Sequence, residues 1–200
     1  AGIPYIGRMP FLVRFLGTAA SRPTVERGVS AVAIIREGET MLVDCGEGTQ
    51  RQMMRYGVSF NFGDLLFTHT HSDHILGLTG LLRTLELQGR TEPMQIWGPP
   101  GSSTVLRDCI KLGGKNPTFP VTLTELSIGD HIQRKGYRIE AFPVDHQKAS
   151  CMGIALVEEQ RLGRFNPELA RAMGIPEGPL WGQIHRGVAV TLPEGRVVQP

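Results

Sequence analysis

Apolar and polar residues alternate over residues 11–17, and this period of two predicts a β-strand. Residues 29–35 and 41–44 have the same character and flank the turn Glu37-Gly38-Glu39, which predicts two further strands. The segment between, from Gly17 through Ser21 and Arg22 to Pro23, is a polar loop. Residues 47–56 have helical composition and stop at Gly57, a residue suited to closing a helix. A short apolar strand is predicted at residues 64–69. After it, Ile75, Leu76, Leu78, Leu81, Leu82, Leu85 and Leu87 recur at the spacing of a buried helix. A strand at 95–97 runs into Gly98-Pro99-Pro100-Gly101, and a helix at 102–112 has Ser102 or Ser103 at its N-cap. Strands follow at 121–126, 132–133, 137–142 and 152–157. Strands first, then helices between strands, predict an α/β fold built as a layered sandwich.

The pattern changes at Glu158. Residues 158–195 are rich in Gly, Pro, Arg and Glu and have few long apolar runs, so they read as an inserted arm, with residues 196–200 returning to the core. Residues 1–8 precede Met9 and the first strand, and read as a short extension. The 200 residues suffice for one domain with a sizeable core. With 40% hydrophobic and 20% charged residues, the composition is that of an ordinary soluble protein. No apolar run approaches the roughly 20 residues of a membrane span, and no signal-peptide pattern is present; a cytoplasmic protein is the expectation. Cys45, Cys109 and Cys151 are odd in number and widely spaced, which argues for three small buried thiols rather than a disulfide framework. A net charge of +2 neither demands nor excludes a nucleic acid partner.

One segment concentrates metal-binding chemistry: His69-Thr70-His71-Ser72-Asp73-His74, between an apolar strand and an apolar helix. Residues two apart in extended chain point the same way, so His69 and His71 can grip one ion from one side. Asp73 and His74 follow as the chain turns into the helix and can reach a second. Imidazole nitrogen and carboxylate oxygen suit Zn²⁺ or Mn²⁺. A surface cluster of polar residues is the alternative, and three histidines with an aspartate in six positions make it a poor one.

This HxHxDH segment resembles the signature of the metallo-β-lactamase superfamily. Phe15-Leu16-Gly17-Thr18, Leu42-Val43-Asp44-Cys45-Gly46-Glu47-Gly48-Thr49-Gln50-Arg51-Gln52, Phe67-Thr68-His69, His74-Ile75-Leu76-Gly77-Leu78, Trp97-Gly98-Pro99-Pro100-Gly101 and Phe142-Pro143-Val144-Asp145-His146 occur in the kind and order of the ribonuclease Z family. The resemblance covers essentially residues 9–200. It implies a metallo-β-lactamase αβ/βα sandwich with a flexible arm inserted. It also implies a two-zinc phosphodiesterase that removes the 3′ trailer of precursor tRNA, commonly as a homodimer. His69, His71 and His146 would hold one zinc, and Asp73 and His74 the other, with Asp73 as general base. For Asp44, capping a turn and orienting the metal loop from a buried position remain two open readings.

The resemblance further assigns the tRNA to the arm, through Arg164, Gly178, Pro179 and Trp181, with Arg161, Arg171, His185 and Arg186 as added basic groups. Arg27 lies in a loop where relatives carry Pro-x-Lys-x-Arg-Asn; here Val25 and Gly28 replace the lysine and the asparagine. The family's bridging aspartate and last histidine lie downstream of the arm, and no Asp or His follows His185. The C-terminal half of the sandwich is therefore expected to be missing from this sequence. Two competing readings are a hydrolase of small phosphodiesters or aryl sulfates on the same fold, and a non-catalytic tRNA-binding half-domain.

Overall fold

The computed structural model describes residues 11–112, 114–146, 149–159 and 164–200. The expected extension at 1–8 and Arg161 lie outside them. The chain divides into two compact units, residues 1–157 and residues 158–200.

In the first unit, strands β1 (Leu12–Gly17), β2 (Ala31–Arg36), β3 (Glu39–Val43), β4 (Asp64–Leu66), β5 (Met94–Gly98) and β6 (Val121–Glu125) lie side by side in chain order in one sheet. The β1–β2–β3 pairings are antiparallel, and the β3 to β6 pairings are parallel. Parallel neighbours need long crossovers. Helix α1 (Thr49–Arg55) supplies the first, α2 (Ser72–Ile75) with α3 (Gly77–Leu87) the second, and α4 (Ser103–Lys111) the third.

Strand alternation sorts side chains between two cores. Leu42 and Leu65 face the helices and pack with Met53, Leu78, Leu81, Leu82, Leu85, Leu106 and Ile110. Their neighbours Met41 and Leu66 face the other way, into a cluster with Ile132, Tyr137, Ile139, Ala141 and Met152. That cluster belongs to a second sheet, β7 (His131–Arg134), β8 (Tyr137–Pro143) and β9 (Met152–Glu158). Among the described residues of the first unit the layers are helices, sheet and sheet. On α3, Leu78, Leu81, Leu82 and Leu85 are fully or almost fully buried, each contributing about 1.5–3 kcal/mol by leaving water.

Three local expectations change. The helix predicted at 75–87 is broken at Leu76, because the Gly77 amide donates to the Cys45 carbonyl at 2.8 Å. The strand predicted to reach His69 ends at Leu66, beyond which the Phe67 amide turns to the Trp97 carbonyl and the Thr68 amide to the Asp44 carboxylate. Ser102 does hold the N-cap of α4, but its hydroxyl does not cap. The Glu125 carboxylate accepts from the amides of Gly101 and Ser103 at 3.0 and 2.8 Å instead. The cysteines are free, as expected, yet only Cys45 is buried; Cys109 and Cys151 are half-buried.

The second unit contains α5 (Pro167–Ala172), α6 (Pro179–His185) and a hairpin of β10 (Val190–Thr191) with β11 (Val197–Val198). Read from sequence as an arm without a core, it has a small one of its own: Ala170, Ile175, Val190, Leu192 and Val198. Within the segment 196–200, Val197 and Val198 form β11 and pair with β10.

Candidate metal centre

The strand ends of β3 and β4 bring two loops together. Asp44 follows β3 and adopts φ 59°, a left-handed conformation that aspartate tolerates better than most residues. Its amide donates to the Leu66 carbonyl at 2.8 Å, which ties it to the end of β4. The next two residues lie backbone to backbone against the histidine segment: the Cys45 amide donates to the His74 carbonyl at 2.7 Å. That approach needs glycine on both sides. A Cβ on Gly46 would fall 2.4 Å from the Asp73 carbonyl oxygen, and one on Gly77 only 2.0 Å from the Gly46 carbonyl oxygen.

Asp44 is 4% exposed and takes four donors. Oδ1 accepts from the Thr68 amide at 2.9 Å, and the Thr68 hydroxyl reaches both oxygens at 3.0 Å. Oδ2 accepts from the Ser30 hydroxyl at 3.1 Å and from His74 Nδ1 at 2.7 Å. With Nδ1 of His74 donating to a carboxylate, its Nε2 carries the lone pair whenever the ring is neutral.

The imidazoles converge. His69, His71 and His146 each offer a nitrogen within 4.8 Å of the others. The His69 ring centroid is 4.6 Å from that of His71, 4.0 Å from His74 and 4.8 Å from His146. Asp73 lies beside His74, with Oδ2 3.7 Å from His74 Nε2. Its Oδ2 also accepts from the Ser21 amide at 2.8 Å, so the loop after β1 holds this carboxylate in place.

The donor set fits a divalent ion. His69 is 7% exposed, and its Nε2 is buried without a hydrogen-bond partner. An unsatisfied buried nitrogen costs free energy unless something occupies its lone pair. Nε2 of His146 lies 3.3 Å from Nδ1 of His71, which matches the roughly 3.3 Å edge of a tetrahedron with zinc–nitrogen bonds of about 2.0–2.1 Å. Protonation favours the same use. Burial, with the neighbouring His74, pushes His69 down to about 4, so it is neutral at physiological pH. Burial alone would lower His74 too, but the hydrogen bond and charge of Asp44 outweigh it and hold His74 above the usual imidazole value. Burial would raise Asp73, yet the Ser21 amide and the nearby imidazoles keep it below the ordinary carboxylate range.

Sequence reasoning named Asp44, His69, His71, Asp73, His74 and His146, and the fold brings all six together. It passed over Ser21, Ser30 and Thr68, which hold the carboxylates. Thr68 adjoins His69, but its contact with Asp44 depends on two strands pairing across 24 residues. Arg27 is exposed in a turn where the Thr24 hydroxyl accepts its amide at 2.9 Å.

In the second unit, Gly178 and Pro179 open α6. Trp181 is half-buried: its Nε1 donates to the Ile175 carbonyl at 2.9 Å, Phe165 packs 5.1 Å away, and the Arg171 guanidinium lies 5.4 Å from the indole ring. Arg164 lines a mostly apolar cavity of about 350 Å³ with Phe165, Leu169 and Ile184.

A family model described as Anti-Pycsar protein Apyc1 matches residues 11–163. The ribonuclease Z of Gemmatimonas aurantiaca is 64% identical over 192 residues, 96% of this chain and 61% of that protein. The ribonuclease Z of Myxococcus xanthus is 48% identical over 186 residues, 93% and 60% of the two chains. The chain thus spans about three fifths of the length of the curated relatives it matches. Among solved structures, the short form of human tRNase Z superposes with a TM-score of 0.66 at 32% identity, covering 73% of this chain and 64% of that one. A metallo-β-lactamase fold protein from Bacillus subtilis superposes with a TM-score of 0.61 at 17% identity, over 74% and 57%, a likeness of fold alone. The chain therefore belongs to the family that the Anti-Pycsar protein Apyc1 model describes, and it is similar over most of its length to ribonuclease Z proteins with a metallo-β-lactamase fold.

Proposed function

We propose that the protein carrying this chain is an endoribonuclease that removes the 3′ trailer from precursor tRNA by two-metal phosphodiester hydrolysis, leaving a 3′-hydroxyl. The observation that carries the reading is the histidine cluster of His69, His71 and His146, with Asp73 and His74 beside it, in a chain 64% identical to a ribonuclease Z. Zinc is the resident metal in this reading, with manganese as a substitute, because the donors are imidazoles and a carboxylate. His69, His71 and His146 hold one ion, and Asp73 with His74 the second.

A bound pair of such ions supplies a nucleophile at neutral pH and offsets the charge that builds on phosphorus. The chain's own residues do the rest. Asp73 has Oδ2 engaged by the Ser21 amide, which leaves its other oxygen to orient the attacking water and take its proton. Asp44 holds the His74 ring in the tautomer that keeps Nε2 open. Arg27, and in the second unit Arg164, Gly178, Pro179 and Trp181, bind the tRNA backbone. Trp181 serves that role as a packed support for Arg171 and Phe165 rather than as a free stacking platform. We place the protein in the cytoplasm as a homodimer. Three free cysteines suit a reducing compartment, and no described helix is long and apolar enough to cross a membrane.

The test is cleavage of a precursor tRNA with a 3′ trailer by the natural gene product, with zinc or manganese. A cut after the discriminator base that disappears in His69→Ala is expected. Failure of the metal-loaded protein to cut any precursor would overturn the reading. Deleting residues 160–190 is expected to weaken tRNA cleavage while sparing a small chromogenic phosphodiester. Equal loss of both would assign the second unit a structural role only.

A further inference from the structure

The Thr68 hydroxyl stands between a buried carboxylate and a buried imidazole. It lies 3.0 Å from both oxygens of Asp44 and 3.0 Å from Nδ1 of His69. A hydroxyl has one proton to give. The Asp44 carboxylate can only accept, and the Thr68 proton is directed at it. The same hydroxyl must then accept from His69, so the proton of that imidazole sits on Nδ1. Its Nε2 is left with a lone pair, and this is the buried nitrogen that has no partner in the protein. The reverse assignment fails on counting. It would give Asp44 one donor fewer and bury an Nε2–H with nothing to receive it.

We propose that Thr68 is a positioning residue that fixes the tautomer of His69 on behalf of Asp44. One buried carboxylate thereby sets two imidazoles: His74 by direct contact at 2.7 Å, and His69 through the Thr68 hydroxyl. Both rings are left with Nε2 open to the site. Asp44 is in turn tied to β4 through the Leu66 carbonyl, so the pairing of β3 with β4 controls the orientation of both rings. The sequence consequence is specific: position 68 needs a hydroxyl, and serine serves as well as threonine, whereas isosteric valine does not.

This inference rests on the metal-centre reading but not on the RNA substrate, and its test separates the two. Nitrogen-15 chemical shifts of the metal-free, unsubstituted protein at pH 7.5 report the His69 tautomer without any variant. A proton on Nδ1 is expected, and a proton on Nε2 overturns the proposal. Zinc affinity, measured by competition with a chromophoric chelator, then compares Thr68→Val with Thr68→Ser. The valine variant is expected to bind about 10–100-fold more weakly, with the His74 tautomer unchanged, and the serine variant to match the parent. A valine variant that melts at the parent temperature and binds zinc as tightly as the parent overturns the proposal. If the parent itself binds no zinc, the metal-centre reading fails, and the tautomer measurement still decides the role of Thr68.

Discussion

The Asp44 carboxylate lies 2.7 Å from Nδ1 of His74, across 30 residues of chain, and is itself almost sealed from solvent. A group buried this deeply and bonded to this many donors cannot be exchanged without consequence. Asp44→Asn keeps the shape but turns one acceptor into a donor facing the Ser30, Thr68 and His74 donors. Unsatisfied buried groups cost about 1–3 kcal/mol each, and loss of a ligand's supporting partner weakens metal binding by about 10–100-fold. Thermal melting of the metal-free protein and chelator competition should both register the change. An Asp44→Asn variant equal to the parent in both would remove Asp44 from the site.

Gly77 and Gly80 sit one turn apart on the same helix and respond in opposite ways to alanine. At Gly77 the new Cβ meets the Gly46 backbone at 2.0 Å, so the Cys45–Gly46 loop must move off the His74 turn. Overpacking of this kind costs about 1–3 kcal/mol or more. At Gly80 the nearest atom, at 2.8 Å, is the end of the flexible Gln50 side chain, which can swing away. There the helix gains up to about 1 kcal/mol from the better propensity of alanine. Denaturant melts of the two variants are expected to bracket the parent. Equal losses would refute the backbone contact as the cause.

Zinc should compete with protons for His74. Asp44 holds His74 above its ordinary imidazole value, which favours the protonated ring, and a metal takes only the neutral ring. His69, down at about 4, is already neutral at physiological pH. Affinity therefore falls as the pH drops below the raised His74 value. In the metal-free protein the sign is the reverse. The His74 contact stabilises the fold below the unfolded value of 6.5 and is lost as the pH rises past the raised one. Zinc calorimetry at pH 7 in two buffers of different ionisation heat measures the protons released. A release that is smaller in Asp44→Asn than in the parent is expected; equal release in the two contradicts the assignment.

The three cysteines should differ in reactivity. Burial pushes the Cys45 thiol up to about 12 and leaves it out of contact with solvent, whereas Cys151 is half-buried. Iodoacetamide at pH 8, read by peptide mass, is expected to label Cys151 and spare Cys45 until the protein is denatured. Labelling of Cys45 in the native protein would contradict its burial.

Much of this was legible in the chain, for identifiable reasons. The alternation of Met41 with Leu42 and of Leu65 with Leu66 marks strands buried on both faces, and the leucines of α3 mark its inward stripe. His69, His71, Asp73 and His74 were legible because their residue types are rare in such density, whereas Asp44 and His146 were reached only through the family resemblance. What stayed hidden depends on contacts between distant segments. Nothing local to Leu76 says that the next amide will leave the helix for Cys45. Nor does anything near Ser102 say that Glu125 will cap its helix. The core of residues 158–200 was missed because it is assembled from single apolar residues in short helices and a hairpin, none of which forms a long run.

Metal binding by these side chains as a set is open to direct observation. Crystals of the zinc-loaded protein, measured on both sides of the zinc absorption edge, locate the ions directly. An anomalous peak within bonding distance of His69, His71 and His146, with a second beside Asp73 and His74, is the predicted result. A zinc-saturated protein whose anomalous density lies away from His69 would contradict the account.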